Sequence, residues 1–158
     1  MDTAKLVEAL TQHPFLEGLD QQAAEKLASM AEPVEFEKDE IIFREGDEYS
    51  AFFLLLSGVV ALEVTSAGRI LRLQTLSAGE ELGWSSLLSS NRKYFQARCL
   101  EPVQTLAFDG GDLRKACEED CHFGYALMSR VLRVVARRLQ VTRLQLTDSY
   151  SYPGAKEG

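Results

Sequence analysis

The chain has 158 residues, of which 46% are hydrophobic and 26% are charged, and its net charge is −7. This length predicts one domain with a sufficient hydrophobic core, which needs neither a disulfide nor a metal. An acidic chain is poorly suited to general binding of nucleic acids or anionic membranes, although residues 123–147 hold five arginines and no acid. Because the start lacks a signal-peptide pattern, the apolar runs are short and the three cysteines suit a reducing compartment, we expect a cytoplasmic protein without a membrane segment.

The first 30 residues predict helices, and the middle of the chain predicts strands. Apolar side chains recur at helical spacing over residues 3–30, and Pro33 ends that pattern. From 33 to 109 short apolar segments alternate with glycine-containing turns about every ten residues, which is typical of a sandwich, a jelly roll or a small barrel. The predicted strands are 34–36, 41–43, 52–56, 59–64, 70–76, 95–100 and 103–108.

Two helices are predicted in the final third of the chain. Asp112 is expected to cap a short helix that ends near Glu119, and a longer helix runs from about Phe123 to Asp148. The tail, 149–158, contains proline and glycine and is expected to be flexible. The predicted domain spans residues 1–148, with helices in 3–30, a β-roll over 33–109 and helices in 112–148.

The predicted long helix carries a seam of residues at alternating steps of three and four. An a/d pattern of this kind over three heptads is typical of a coiled coil. It also fits packing of the helix on its own β domain. We expect both, with the first turns on the β domain and the later turns on a second subunit, because two-fold pairing is the commonest oligomer. The seam consists of Tyr125, Met128, Leu132, Val135, Leu139, Thr142 and Leu146.

The segment from Leu82 to Tyr94 has the features of a phosphate site. A glycine permits a sharp bend, two serines suit the start of a helix, and a pair of cations follows within ten residues. The N–H groups and the dipole at a helix N-terminus, together with a nearby cation, bind phosphate. The segment therefore predicts an anion site. Its candidate residues are Gly83, Trp84, Ser85, Ser86, Arg92, Lys93 and Tyr94.

Residues that would support catalysis or a metal are sparse. The two histidines are His13 and His122, and there are three cysteines. A structural zinc site usually needs four protein ligands, and a jelly-roll metalloenzyme needs a close histidine pair with further ligands. The sequence has no P-loop and no Gly-x-Ser-x-Gly elbow. We therefore predict a protein that is not an enzyme and that needs no metal or cofactor.

The order of these motifs resembles the cyclic-nucleotide-binding domain of the catabolite-activator (Crp/Fnr-like) family. The likeness covers about residues 12–148. It implies a β-roll with N-terminal helices and a long C-terminal helix, and it implies cAMP or cGMP as a ligand. Four segments carry the likeness in order: 36–47, 53–60, 79–83 and 97–103.

The candidate anion site departs from the family pattern. In the family a Gly-Glu pair supplies a carboxylate for the ribose 2′-hydroxyl, and an Arg followed by Ser or Thr binds the cyclic phosphate. Here Gly83 is followed by Trp84, whose indole nitrogen can only donate. Lys93 and Tyr94 stand in the Arg-Ser positions, with Arg92 beside them. Either an anionic ligand still binds, with Trp84 against a base or as an apolar wall, or Trp84 fills a site that has lost its ligand.

Two further parts of the sequence bear on the base and the ribose. The segment 136–142 resembles the dimer helix of the family, in which the threonine faces the adenine, and this implies a contact from Thr142. Counting from the start of the helix puts Arg138 beside the base instead, and Thr142 can also be a polar seam residue that sets dimer register. Glu80 and Glu81 are interpreted as exposed turn acids, or as displaced acceptors for the ribose.

Two functions stay open at this point. The first is a stand-alone sensor that binds a phosphate-containing ligand and signals to an unknown partner protein through its C-terminal helix. The second is a dimerisation or protein-interaction module that no longer binds nucleotide. Regulators of the family carry a helix-turn-helix after the long helix, whereas about ten residues follow Asp148, so we predict no direct DNA binding.

Overall fold

The structure describes residues 1–88 and 92–150 in a computed structural model, with residues 149 and 150 given by their backbone alone. Helices lie towards both ends of the described chain, and strands lie between them. The helices are α1 (Thr3–Gln12), α2 (Gln21–Met30), α3 (Gly110–Glu119) and α4 (Cys121–Tyr150). Strands β1 to β8 span Glu32–Phe36, Ile41–Phe43, Ala51–Ser57, Val60–Ser66, Arg69–Leu76, Glu81–Leu82, Gln96–Cys99 and Val103–Asp109. Short 3-10 turns cover Pro14–Leu16 and Trp84–Leu87.

The described strands form two antiparallel sheets of four strands, with the orders β1-β8-β3-β6 and β2-β7-β4-β5. Because side chains alternate across a strand, every second residue can face the space between the sheets. Apolar residues of both sheets are buried together there, among them Phe53 and Leu55 of β3, Leu62 of β4 and Ala97 of β7. The predicted class, mainly β with flanking helices, is confirmed.

Helices cover the outer face of the first sheet. Residues of α1, α2, α3 and the start of α4 pack there against Phe52 of β3 and Phe108 of β8. The buried apolar side chains of α4 are Phe123, Leu127 and Val131, which lie one turn apart. Burial of an apolar side chain of this size contributes about 1.5–3 kcal/mol. The first turns of α4 are therefore anchored to the roll.

The later turns of α4 leave apolar side chains in solvent. Leu132 is 68% exposed, and Leu139 and Leu146 are each at least half exposed. Of the predicted seam, Met128 and Val135 are partly buried against the helix-covered core. The seam thus faces away from the roll over much of its length.

Within the described part of the chain, no helix combines the length and the apolar character needed to cross a membrane.

Three local features differ from the predictions. The cap of α3 is Asp109 rather than Asp112, because the Asp109 carboxylate accepts a hydrogen bond from the Asp112 N–H at 2.9 Å. Strand β6 is absent from the predicted set, since two residues are too few to show an alternating pattern. Helix α4 runs from Cys121 to Tyr150, so its last two residues belong to the predicted tail. The remainder of that tail, 151–158, lies outside the described residues.

Candidate ligand site

The candidate site begins at a sharp turn between β6 and the second 3-10 turn. Gly83 adopts φ +86°, in the left-handed region that favours glycine. A Cβ at this position would lie 2.7 Å from the Ala51 carbonyl oxygen, so a larger residue does not fit. The predicted short helix is a single 3-10 turn of four residues. Few peptide dipoles are therefore aligned here, and the positive charge of the site has to come from side chains.

Lys93 is the cation at the centre of the site. Its backbone N–H donates to the Asp47 carbonyl at 2.9 Å, and its own carbonyl accepts from the Gly46 N–H at 2.8 Å. The side chain is only 2% exposed. Its Nζ donates to Ser85 Oγ at 3.1 Å and to Ser86 Oγ at 3.0 Å. The sequence predicts this residue as a phosphate contact, but it does not predict that the ammonium is buried against both serines.

The charge on Lys93 has little local compensation. No carboxylate in the described parts of the chain lies within ion-pair distance of Nζ. The ammonium lies 5.1 Å from the centre of the Phe43 ring, which adds a weak cation–π attraction. Burial lowers the pKa of Lys93 to about 8, because the charged form loses hydration. The site therefore holds a cation that a bound anion would stabilise.

A cavity of about 250 Å³ opens beside Lys93. Its walls combine apolar side chains with three basic ones. Tyr94 and Arg92 lie at the rim, and Tyr94 is 72% exposed. The lining residues are Phe43, Leu62, Leu82, Gly83, Trp84, Ser85, Leu88, Arg92, Lys93, Tyr94, Phe95 and Arg138.

Two of the eight predicted site residues are absent from this lining. Ser86 is fully buried, and its hydroxyl contacts the Ala51 carbonyl at 2.9 Å and the Tyr49 carbonyl at 3.2 Å as well as Lys93. Ser86 therefore holds the Lys93 ammonium from the protein interior and does not line the cavity. Thr142 lines a second cavity and donates its hydroxyl hydrogen to the Arg138 carbonyl at 2.9 Å.

The second cavity, of about 760 Å³, lies between α4 and the roll. It shares Leu62, Phe95 and Arg138 with the smaller cavity, so the two adjoin along a common wall. Four arginines of α4 line it, opposite three glutamates of the rest of the domain. They are Arg130, Arg133, Arg137 and Arg138, and the glutamates are Glu17, Glu80 and Glu81.

A buried ion pair crosses this common wall and connects α4 to β6. The guanidinium of Arg138 contacts the carboxylate of Glu81, and Arg138 Nη2 also donates to the Glu81 carbonyl at 3.2 Å. The side chain of Glu81 is 3% exposed and that of Arg138 is 21% exposed. Burial raises the pKa of Glu81 more than the charge of Arg138 lowers it. The interpretation of Glu81 as an exposed turn acid is wrong, because β6 directs it towards α4.

Arg138 is the residue that counting along the helix places beside the base. It lines both cavities, whereas Thr142 lines only the larger one. Trp84 lies on the wall of the smaller cavity and packs on the helix-covered core as well.

Among the described residues no three His, Cys, Asp or Glu side chains come together as a possible metal site.

A family model named cyclic nucleotide-binding domain matches residues 33–120, a range that contains the roll and the cavity beside Lys93. The chain belongs to the cyclic nucleotide-binding domain family. The resemblance found in the sequence is thereby confirmed.

Curated relatives of this domain include an ion channel and a transcriptional regulator. The cyclic nucleotide-gated ion channel 2 of Arabidopsis thaliana is 29% identical over 133 residues, which are 78% of this chain and 18% of the channel. The CRP-like cAMP-activated global transcriptional regulator of Mycobacterium tuberculosis is 24% identical over 142 residues, which are 89% of this chain and 62% of the regulator. The chain thus spans less than two thirds of either relative.

A solved structure supports the fold. The cyclic nucleotide-binding domain from Methylobacillus flagellatus KT matches with a TM-score of 0.80. The match covers 96% of this chain and 86% of that one, at 14% identity. At this identity the likeness establishes the β-roll and not the ligand.

Proposed function

We propose that this domain is a regulatory module that binds an anionic, phosphate-containing ligand of nucleotide size and signals through α4, without catalysis. The observation that carries the proposal is the ammonium of Lys93, which is buried at the cavity wall and lacks a carboxylate partner among the described residues. An uncompensated buried charge is disfavoured by several kcal/mol. An anion that enters the cavity would reduce this penalty, so the site favours negatively charged ligands.

The two adjoining cavities are suited in size to a nucleotide. Ligand sites commonly have volumes of about 300–1,000 Å³, and these cavities measure about 250 and 760 Å³. The phosphate would lie in the smaller cavity against Lys93 and Ser85, with Arg92 at the rim. The base would lie in the larger cavity beside α4, and Trp84 would form an apolar wall next to the sugar.

The names of the relatives mention cAMP and cyclic nucleotides in general, so cAMP and cGMP are the first ligands to test. The residue after Gly83 is Trp84, so this position offers no carboxylate to a ribose hydroxyl. Glu81, two residues before Gly83, is already paired with Arg138. We therefore expect weaker discrimination for the ribose 2′-hydroxyl than a free carboxylate would provide.

Coupling from the ligand to α4 would pass through the ion pair of Arg138 and Glu81. Arg138 lines the cavity in which the phosphate is proposed to bind, so an anion there would compete with Glu81 for the guanidinium. Release of the pair would change the preferred position of α4 over the roll. Such a change is a population shift, and its size is limited by the difference in ligand affinity between the two positions.

The later turns of α4 would pair with a second copy of the chain. Their exposed seam, which includes Leu132, Leu139 and Leu146, offers an apolar surface at heptad spacing. We expect a homodimer in the cytoplasm that an unidentified partner protein recognises. Mass measurement by light scattering at high micromolar concentration checks this, and a monomeric mass there would contradict it.

Thermal melting with added ligands tests the proposed function. The ligands are cAMP, cGMP, AMP, cyclic dinucleotides and, as a neutral reference, adenosine. A ligand at about 100 times its dissociation constant stabilises a protein by about 2.7 kcal/mol, which is several degrees in Tm for a domain of this size. We expect a phosphate-containing ligand to raise Tm more than adenosine does.

Two variants show whether the response depends on the buried cation. Lys93→Met removes the ammonium from the cavity and should abolish the phosphate-dependent part of the shift. Lys115→Met is the matched control, because Lys115 is exposed on α3 and pairs only weakly with Glu119 at 4.0 Å. No shift with any ligand at millimolar concentration, or an equal shift in Lys93→Met, would contradict the proposal.

The second candidate function is a domain that binds no nucleotide and acts in protein interaction. Contacts of Lys93 favour it: Nζ already donates to two hydroxyls and lies near the Phe43 ring, so the position of the expected phosphate is partly filled. A flat response to every ligand together with a dimeric mass would support this alternative.

A further inference from the structure

The amine of Lys93 has surroundings that favour a reactive, neutral form. It lies on the wall of the smaller cavity, among the apolar side chains of Phe43, Leu62 and Phe95. Since burial lowers its pKa to about 8, about a tenth of the molecules hold the uncharged amine at pH 7. A lysine that is desolvated in an apolar pocket is a nucleophile, because its lone pair is free in that fraction.

We infer that Lys93 is a site of reversible modification by carbon dioxide, which its amine captures as a carbamate. The lone pair of Nζ forms a bond to the carbon of CO₂, and one C=O π pair moves onto oxygen. A proton then leaves the nitrogen for water. The product is Lys93 Nζ(H)–COO⁻, and the step needs neither an oxidant nor a reductant.

The cavity has the size and polarity that this electrophile requires. Carbon dioxide is small, uncharged and apolar, so it can enter a space of about 250 Å³ with apolar walls without the desolvation cost that an ion would meet. An aldehyde would also react with the amine, but it would give a neutral or cationic adduct. Carbon dioxide instead gives an anionic one.

The surrounding charges favour the anionic product. The reaction replaces an uncompensated buried cation by a carboxylate, and the guanidinium groups of Arg92 and Arg138 line the same cavity. The hydroxyl of Ser85 accepts from Lys93 at 3.1 Å, and its hydrogen has no acceptor among the described residues. It can therefore donate to the carbamate, while the carbamate N–H still faces Ser86.

A carbamate would place negative charge where the proposed ligand would bring its phosphate. The chain would then supply its own anion in the presence of CO₂, and nucleotide binding would be weakened by repulsion. This inference concerns the amine and its cavity, and it does not require that any nucleotide binds. The experiment below contains no nucleotide, so its failure is separate from a failure in the melting assay.

The modification can be trapped on the intact protein. We would equilibrate the purified protein with ¹³C-labelled bicarbonate and CO₂ at pH 8, ethylate carbamates with triethyloxonium, and map labelled peptides by mass spectrometry. We expect a labelled ethyl carbamate on Lys93 and at most a trace on exposed lysines such as Lys115. Absence of the label from Lys93, or equal labelling of Lys115, would overturn the inference. If bicarbonate binds only as an ion, no labelled ethyl carbamate forms on Lys93, and this result would also overturn the inference.

Two further measurements distinguish Lys93 from a surface amine. Lys93→Arg keeps the positive charge but removes the nucleophile, so the ¹³C carbamate resonance should disappear, whereas Lys115→Arg should retain it. In wild-type protein at fixed CO₂ pressure, the trapped fraction should rise by more than about 20-fold between pH 6.5 and pH 8.5 unless it saturates, because the neutral amine alone increases by about that factor for a pKa of about 8. The proton released in carbamate formation makes the rise steeper still. A resonance that survives Lys93→Arg, or a fraction that does not rise over this range, contradicts the assignment. The mapping and the pH series use the wild-type chain and do not depend on the variant's folding.

Discussion

Lys93 and Arg138 are two basic side chains on the walls of one cavity, and they differ in how their charge is balanced. Arg138 reaches from α4 to the buried carboxylate of Glu81, and the ion pair connects the helix to the roll. Lys93 has only two serine hydroxyls and an aromatic ring. A balanced buried charge maintains the structure, whereas an unbalanced one favours a ligand or a change of protonation. Substitution of each cation by methionine separates these two roles.

The largest expected effect is that of Arg138→Met. Removal of the guanidinium leaves Glu81 buried without a counter-charge, and breaking one side of a buried pair lowers stability by about 3–5 kcal/mol. Because Arg138 is partly exposed, we expect a loss of about 2–3 kcal/mol in the free energy of unfolding by urea. Adding Glu81→Gln should recover part of it. A loss below about 0.5 kcal/mol, typical of a surface site, would contradict a structural role for the pair.

The pH dependence of the Arg138→Met defect checks the same pair independently. Burial already raises the pKa of Glu81, and loss of Arg138 should raise it further. A group with a raised folded-state pKa contributes most to stability at low pH, and this contribution is lost as pH rises through that pKa. The deficit of Arg138→Met relative to wild type should therefore shrink as pH falls towards 4.5. A deficit that is constant over this range would show that lost packing, and not charge, causes it.

An intermediate effect is expected from the titration of Lys93. Its folded-state pKa is about 8, below the ordinary lysine value of 10.5, so the unfolded state binds more protons between these two values. The stability of wild type relative to Lys93→Met should therefore increase as pH rises from about 8 to 10.5, by on the order of 2 kcal/mol. Urea unfolding of both proteins at several pH values measures this. If the unfolding free energies of wild type and Lys93→Met change in parallel with pH, the pKa of Lys93 is not lowered.

The smallest effect is expected from Lys93→Met at pH 7. The substitution removes two hydrogen bonds from the ammonium, but it also removes an uncompensated buried charge, and such replacements are often neutral or stabilising. We expect the free energy of unfolding to stay within about 1 kcal/mol of wild type or to increase. Urea denaturation at pH 7 decides this. A loss as large as that of Arg138→Met would show that Lys93 is a structural cation, and the contrast between the two residues would not hold.

Much of the candidate site could be predicted because its signals are local. Gly83 must be glycine at φ +86°, and that requirement is visible as a glycine two residues before a serine pair. Arg92, Lys93 and Tyr94 follow at the spacing of the family pattern. The contacts of Lys93 and the burial of Ser86 could not be predicted, because they depend on the turn at Asp47 and on strand β3, which lie far away along the chain.

The ion pair of Glu81 and Arg138 is a clearer example of a contact that the sequence does not predict. These residues are 57 positions apart, and neither belongs to a motif that links them. Strand β6 has only two residues, so the sequence does not predict that Glu81 lies on a strand beside β3. An acid next to a glycine turn is ordinarily exposed, and only the packing of α4 across the roll brings it to an arginine.

The sequence by itself determined the β-roll, the order of its elements except β6, the glycine turn and the amphipathic helix that follows. These features follow from side-chain alternation, helical spacing and backbone freedom, which act over a few residues. The tertiary structure alone decided which cations are balanced. The charge state of a buried group depends on the neighbours that the fold brings within a few ångströms, and those neighbours come from distant parts of the chain.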